Sequence, residues 1–417
     1  MPYVSGQALG QLQWGLSDDN RGRIVLLRQH QLRSFVTPPA GLVVIDGAPF
    51  GHTMIPLLGL GIPTLIIDSA QSAGLKPDIP VRLDGERGLL SDESVESRFQ
   101  PPSLPPSNRT RDGVEIHLRV STRGLQDAAQ AQFPGAEAIG LVRSEFLVPA
   151  DGRQPDRAFY HQAFAAICQA ASPLPVSIRL LDIAADKLPG WLPALEGVAG
   201  ALGLQGVRLF PYEPVRSVYR AQLAAIDALS DRFDIRVLIP FLGSLRELRE
   251  WQGRVRQRLH KPLPVGAMAE TPASALQVAE WLDQVDFVAL GCNDLMQCLF
   301  GADRGRADLS PYLDPFSPVL YRFLRQVAES IPQQQDRLQL CGVLPQLPGI
   351  LPLLLGLGFR VFSVEASSLD YLRRRIACTS LGQARELAYR VCDAHDPDQV
   401  QRMLTCQGPS PHTSPGP

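Results

Sequence analysis

Residues 265–297 read VGAMAETPASALQVAEWLDQVDFVALGCNDLMQ. Two short apolar runs, VGAMAE at 265–270 and DFVALG at 286–291, flank SALQVAEWLDQ at 274–284, whose apolar residues recur near the helical period. This is a strand–helix–strand unit. Glu270 closes the first run, and Asn293 and Asp294 follow the second. One charge at a strand end is an accident. A series of them, separated by helix-length stretches, is how a (β/α) barrel assembles an active site.

The pattern recurs outward from this unit. AIGLVRSEF (138–146), VSIRLLDIAADK (176–187), GVRLF (206–210), ADRG (302–305) and LQLCG (338–342) each bring a polar residue to the end of an apolar run. Strands are predicted at 114–120, 138–143, 176–183, 206–210, 235–240, 265–270, 286–291, 338–342 and 360–365. Helices are predicted at 155–170, 218–231, 244–259, 274–284 and 317–331. Repeated β-then-α units imply a parallel sheet with helices outside it. There are more strand candidates than the eight places of a barrel, so one of GVRLF and RVFSVE (360–365) is expected to lie outside it. A doubly wound open sheet satisfies the same pattern.

Composition bounds the rest. The chain has 417 residues, 45% hydrophobic and 20% charged, which fits two domains or three of ordinary globular character. A net charge of −2 gives no bulk electrostatic case for nucleic acid or an anionic membrane. No apolar run is long enough to span a bilayer, and MPYVSGQALG at the start lacks the pattern of a secretory signal. The 7 cysteines form no CxxC pair. They read as reduced thiols of a cytoplasmic protein, without a zinc site or a disulfide framework.

The clearest break is SDESVESRFQPPSLPPSNRTRDG at 91–113, a Pro-rich connector. Residues 1–90 before it hold short β-type runs (RIVLL, GLVVID, PTLII, IPVRL) and one helix-like piece after His52. They predict a small mixed α/β module. Residues 114–395 form the alternating domain, and 396–417, ending QGPSPHTSPGP, read as a disordered tail.

Arg143, Arg179, Arg208 and Arg304 lie in different segments, the first three inside apolar text, where a charge needs a partner. Singly, each is expected to pair with a nearby carboxylate, Arg143 with Glu145 or Arg179 with Asp182. Together at strand ends they make an anion site, because guanidinium forks match phosphate oxygens. Glu270 and Asp294 beside a phosphate fit Mg²⁺, which prefers a few carboxylates, water and substrate oxygens. As alternatives, Glu270 is a charge at a helix start and Asp294 a cap. Asn293 adds a neutral donor. Cys341, after LQL, is either a buried small hydrophobe or an acid for carbon protonation. His52, in GHT after GLVVID, is either structural or a phosphate carrier with a free ring nitrogen.

These segments resemble the phosphoenolpyruvate-utilising enzymes, and within them enzyme I of the sugar phosphotransferase system. The similar text is GLVRSEFL (140–147), IRLLDIAADK (178–187), ALGLQGVRL (201–209), RVLIPFLGSLRELRE (236–250), AETPASAL (269–276), GCNDLMQCLFGADRG (291–305) and CGVLPQLPGILPLLLGLGFRVFSVEASSL (341–369). GHTMIPLLGLGIPTLIIDSA (51–70) is similar to the segment around the phosphohistidine of the family's swivelling domain. The resemblance implies a C-terminal (β/α)8 TIM-type barrel at 114–395 and a small N-terminal α/β swivelling domain at 1–90. It implies Mg²⁺-dependent transfer of phosphate from phosphoenolpyruvate to His52, with release of pyruvate. Arg143, Arg179, Arg208, Arg304 and Asn293 then match substrate contacts, Glu270 and Asp294 metal ligands, and Cys341 the proton donor. A homodimer is implied too.

Four departures from the family pattern stand out, one of them a pair of residues. Gln205 and Leu58 stand where it has arginines, Val343 where it has a glutamate, and Ala184 and Ala185 where it has glycines. Residues 1–90 leave no room for the helical insertion with which enzyme I docks its phosphocarrier, so the phosphoryl acceptor, a protein among the candidates, is unidentified. The departures keep open a phosphoenolpyruvate-binding sensor. A carbon–carbon lyase or mutase on a related barrel needs no histidine and is the third reading.

Overall fold

The computed structural model describes residues 1–32, 35–91, 104–105, 107–129, 134–184, 188–192, 200 and 202–405. In the N-terminal module seven strands form one sheet: β1 (Pro2–Val4), β2 (Gln7–Trp14), β3 (Arg23–Arg28), β4 (Gly41–Ile45), β5 (Thr64–Ile67), β6 (Pro80–Asp84) and β7 (Leu89–Ser91). Their order is β1-β5-β4-β3-β2-β6-β7. The centre, β2 to β5, is parallel, and β1, β6 and β7 are antiparallel at its edges. β3 and β4 are continuous apolar runs, as strands covered on both faces must be. The helix-like piece after His52 is the short helix Ile55–Leu60, which stops at Gly61 in the left-handed conformation, φ 65°.

The second lobe is a closed, all-parallel barrel: β8 (His117–Thr122), β9 (Ala136–Arg143), β10 (Val176–Arg179), β11 (Ile235–Leu242), β12 (Val265–Ala269), β13 (Phe287–Gly291), β14 (Leu338–Cys341) and β15 (Val361–Val364). The open sheet is thereby excluded, because β9 pairs with β10 and closes the ring. RVFSVE supplies β15, and GVRLF is not a strand. Gly206–Leu209 form a 3-10 turn, with Arg208 N–H donating to Gln205 C=O at 3.1 Å. A run this short has no periodicity to separate strand from turn. The crossover from β10 to β11 already has its helix, Val215–Leu229.

Two boundaries differ from the sequence reading. Part of the 91–113 connector is pinned to the barrel: Asn108 is buried, donates to Gly135 C=O at 2.7 Å and accepts from Arg373 Nε at 3.2 Å. Residues 92–103 and 106 lie outside the described residues. The stretch read as a tail from 396 begins with a helix, Pro397–Thr405, whose Val400 is fully buried. Polar side chains on its outer face hid this apolar anchor. Residues 406–417 lie outside the described residues.

The lobes share one apolar core, in which Phe50, Met54, Ile55 and Leu58 of the module pack with barrel residues. Ser367 Oγ donates to Leu58 C=O across the seam, and Arg374 lies 3.9 Å from Glu86. On the barrel's outside, helix Leu351–Leu357 lies against helix Leu381–Asp393, with no room for a side chain at Gly356. A Cβ there would fall 2.1 Å from Ala384 C=O. Gly356→Ala is expected to destabilise the barrel by about 2 kcal/mol or more through overpacking, read as a lower urea midpoint.

Candidate active site

The carboxyl ends of the barrel strands converge on one mouth. Arg143 is the last residue of β9, Arg179 of β10 and Cys341 of β14. Glu270 follows β12, and Asn293 and Asp294 open the helix Cys292–Phe300 after β13. These side chains, with Arg304, line a cavity of about 280 Å³. The module covers part of it, since His52, Ile55 and Pro56 line the same space. Gln29 holds the loop that carries His52, accepting from Ala48 N–H at 2.7 Å and donating to Thr53 Oγ1 at 2.7 Å. All the site residues expected from sequence come together except Arg208. Its guanidinium lies over the Phe241 ring at 5.2 Å and 4.0 Å from Glu247, outside the lining, because GVRLF is a turn rather than a barrel strand.

The charges at the mouth are arranged unequally. Arg179 is buried, and it pairs with Glu145, with Asp182 at 2.8 Å and with Glu270 at 3.7 Å. Burial pulls its pKa down, but Asp182, Glu145 and Glu270 outweigh this and hold the guanidinium well above its ordinary value. Arg304 pairs with Asp294 at 3.0 Å. Arg143 differs from both. Glu145 is committed to Arg179, and the half-buried Arg143 guanidinium makes no ion pair or hydrogen bond among the described residues. Thus the pairing of Arg179 with Asp182 is realised, and that of Arg143 with Glu145 is not.

Gly342 explains the Cys-Gly pair. It has φ 103°, and a Cβ there would lie 2.6 Å from Asn293 Oδ1. The tight turn lets Val343 N–H donate to Asn293 Oδ1 at 2.9 Å, which fixes the amide at the cavity wall.

The matching family model is that of the PEP-utilising enzymes, PEP-binding domain, over residues 105–381. The chain belongs to this family. It is 28% identical over 385 residues to a multiphosphoryl transfer protein of Xanthomonas campestris pv. campestris, covering 87% of this chain and 46% of that protein. Over 385 residues it is also 28% identical to a phosphoenolpyruvate-protein phosphotransferase of Haloferax volcanii, covering 88% of this chain and 68% of the relative. A phosphoenolpyruvate-protein phosphotransferase of Buchnera aphidicola is 28% identical over 390 residues, covering 87% and 68%. The chain spans about half the length of the multiphosphoryl transfer proteins it matches.

In this member of the family, burial pushes the Cys341 thiol up to about 11, against the pull of a Gln339 hydrogen bond and of Arg143. Two carboxylates, Glu270 and Asp294, share the cavity wall, and no group of three or more His, Cys, Asp or Glu converges among the described residues. That donor set fits a Mg²⁺ ion shared with a bound phosphate. The glycine-to-alanine departure at Ala185, with Asp186 and Lys187, lies outside the described residues.

Sequence reasoning missed two charged residues at the mouth. Arg123 follows β8 and lines the cavity, 3.5 Å from Asp127. Glu365 follows β15, and only 3% of it is exposed. A Cβ on Gly59 of the module would meet Arg123 Nη2 at 2.2 Å and Glu365 Oε2 at 3.3 Å. The signal was present, since RVFSVE ends in a carboxylate as VGAMAE does. Burial raises the Glu365 pKa, and Arg143 and Arg123 offset this only in part. A carboxyl whose pKa is raised by folding costs stability once it ionises. The cost is complete above the folded pKa and absent below the ordinary value of 4.5. Glu365→Gln is therefore expected to raise the thermal midpoint by roughly 2–4 °C at about pH 7 and to leave it unchanged at about pH 4, measured by calorimetry.

Proposed function

We propose that this chain transfers the phosphoryl group of phosphoenolpyruvate to His52 in a Mg²⁺-dependent reaction that releases pyruvate. What carries the reading is one cavity with a histidine on its lid and an unpaired Arg143 guanidinium on its floor, set among carboxylate-paired arginines. A cation without an ion pair in a partly covered cavity favours a compact anion. Phosphoryl transfer needs mainly positioning and charge stabilisation, and these residues supply both.

In the proposed reaction Arg143 binds the phosphate directly. Arg179, Arg304 and Asn293 shape its site, the two arginines being oriented by their carboxylates. Glu270 and Asp294 would hold Mg²⁺, which when bound neutralises charge developing on the phosphoryl oxygens. A ring nitrogen of His52 attacks phosphorus. The N–P bond forms as the enol P–O bond breaks, and the enolate is left in the cavity. Cys341 gives its S–H proton to the enolate's terminal carbon, which becomes the pyruvate methyl, and the resulting thiolate regains a proton from water. The phosphoryl group then passes to an acceptor of the chain, which acts in the cytoplasm as a homodimer.

A second reading, binding without turnover, rests on Leu58 and Val343. Both are buried and apolar where the resemblance expects charges. Incubation with phosphoenolpyruvate and Mg²⁺, followed by intact mass and pyruvate assay, separates the two. The expected outcome is a gain of one phosphoryl group, lost in His52→Ala. Arg143→Met is expected to lower kcat/KM by roughly 10²- to 10³-fold, the cost of removing one donor to developing charge. Calorimetric binding of phosphoenolpyruvate to a chain that stays unmodified would favour the second reading.

A further inference from the structure

Below the cavity floor, the barrel interior holds polar groups that the proposed reaction does not use. β14 points Gln339 and Cys341 to the same face, two residues apart. Gln339 is buried, and its Nε2 donates to Cys341 Sγ at 3.1 Å and to Gly140 C=O at 3.1 Å. Its Oε1 accepts from Arg119 Nη1 at 3.0 Å. The amide has one possible orientation. A guanidinium only donates, so the oxygen must face Arg119 and the nitrogen must face sulfur. Gly140 makes the space, because a Cβ there would lie 2.7 Å from Gln339 Oε1 and 2.8 Å from the Arg119 Cβ.

Arg119 makes this chain of bonds directional. Its guanidinium pairs with no carboxylate among the described residues, and Gln339 is its hydrogen-bond partner. A cation donating to the carboxamide oxygen polarises the amide and strengthens its N–H as a donor. That N–H meets a sulfur lone pair and leaves the S–H bond available to turn toward the cavity that Cys341 lines.

We infer that Arg119 and Gln339 form a relay that orients the Cys341 thiol toward the cavity and stabilises the thiolate left when its proton is given up. Both are positioning residues acting through Cys341. The inference deepens the proposed reaction and rests on it for the identity of the proton acceptor, the terminal carbon of the enolate. The bonds balance as in that reaction: S–H breaks, C–H forms, and the negative charge moves to sulfur, where the Gln339 N–H meets it.

The test needs no phosphoenolpyruvate, so it stands apart from the test of phosphoryl transfer. The full chain, Gln339→Met and Arg119→Met are alkylated with iodoacetamide across a pH series. Peptide mass spectrometry then gives a rate for each cysteine. Cys292 lines the same cavity and reports its accessibility, and exposed Cys378 reports the reagent. Cys341 alkylation at about pH 8 is expected to fall roughly three- to tenfold in Gln339→Met, the size of one hydrogen bond. The fall in Arg119→Met is smaller, the Cys341 pH profile moves to higher pH, and Cys292 and Cys378 keep their rates. Should Gln339→Met fail to fold, Arg119→Met carries the test. An unchanged Cys341 rate overturns the relay, and so does a parallel change at Cys292.

Discussion

A single buried guanidinium organises the mouth of the barrel. Arg179 ends β10 and draws Glu145, Asp182 and Glu270 from three other places in the chain onto one point. Breaking such a cluster by removing one partner leaves uncompensated charge in a dry site, so the arrangement is fixed by necessity. Its consequences spread outward. Glu145 is taken from its neighbour Arg143, which is left lining the cavity without an ion pair among the described residues. Glu270 is tied on one oxygen by Phe241 N–H at 3.0 Å, which sets the direction in which it can serve a ligand.

Most of the fold was legible because parallel strands buried on both faces are nearly continuous apolar runs, and the helices between them keep a 3.6-residue stripe. GVRLF escaped this logic. Its five residues carry no period, and only the chain's need for a single crossover between β10 and β11 decides against a strand. The N-terminal sheet was read from its central strands. β1 and β7 went unread because they are edge strands of three residues each, and β2 because its residues mix exposed and buried positions, as Gln7–Trp14 shows.

The site was legible for the same reason as the barrel. A charged residue directly after an apolar strand has little reason to be there except chemistry. Polar residues at strand ends gave Arg143, Arg179, Glu270, Asn293, Asp294 and Cys341, and these line one cavity with Arg304 of ADRG and with His52, which was read from the helix-like start at GHT. The strand-end rule put Arg208 on a strand that does not exist, and the guanidinium lies against Phe241 and Glu247. Which carboxylate each arginine takes could not be read in advance. Glu145 and Asp182 are both near in sequence to an arginine, and Glu145 can reach Arg179 because β9 and β10 set Arg143 opposite Arg179. The interior contact between Arg119 and Gln339 was invisible too, since the residues are 220 positions apart.

The seam between the lobes sets a schedule. His52 forms part of the wall of the chamber it is proposed to serve, so a molecule inside is enclosed by both lobes at once. On the proposed reaction, an acceptor of the phosphoryl group could not share that space, and charging and discharging the imidazole would be mutually exclusive events. In the proposed cycle the contacts of Leu58 with Ser367 and of Glu86 with Arg374 would come apart and re-form once per turnover.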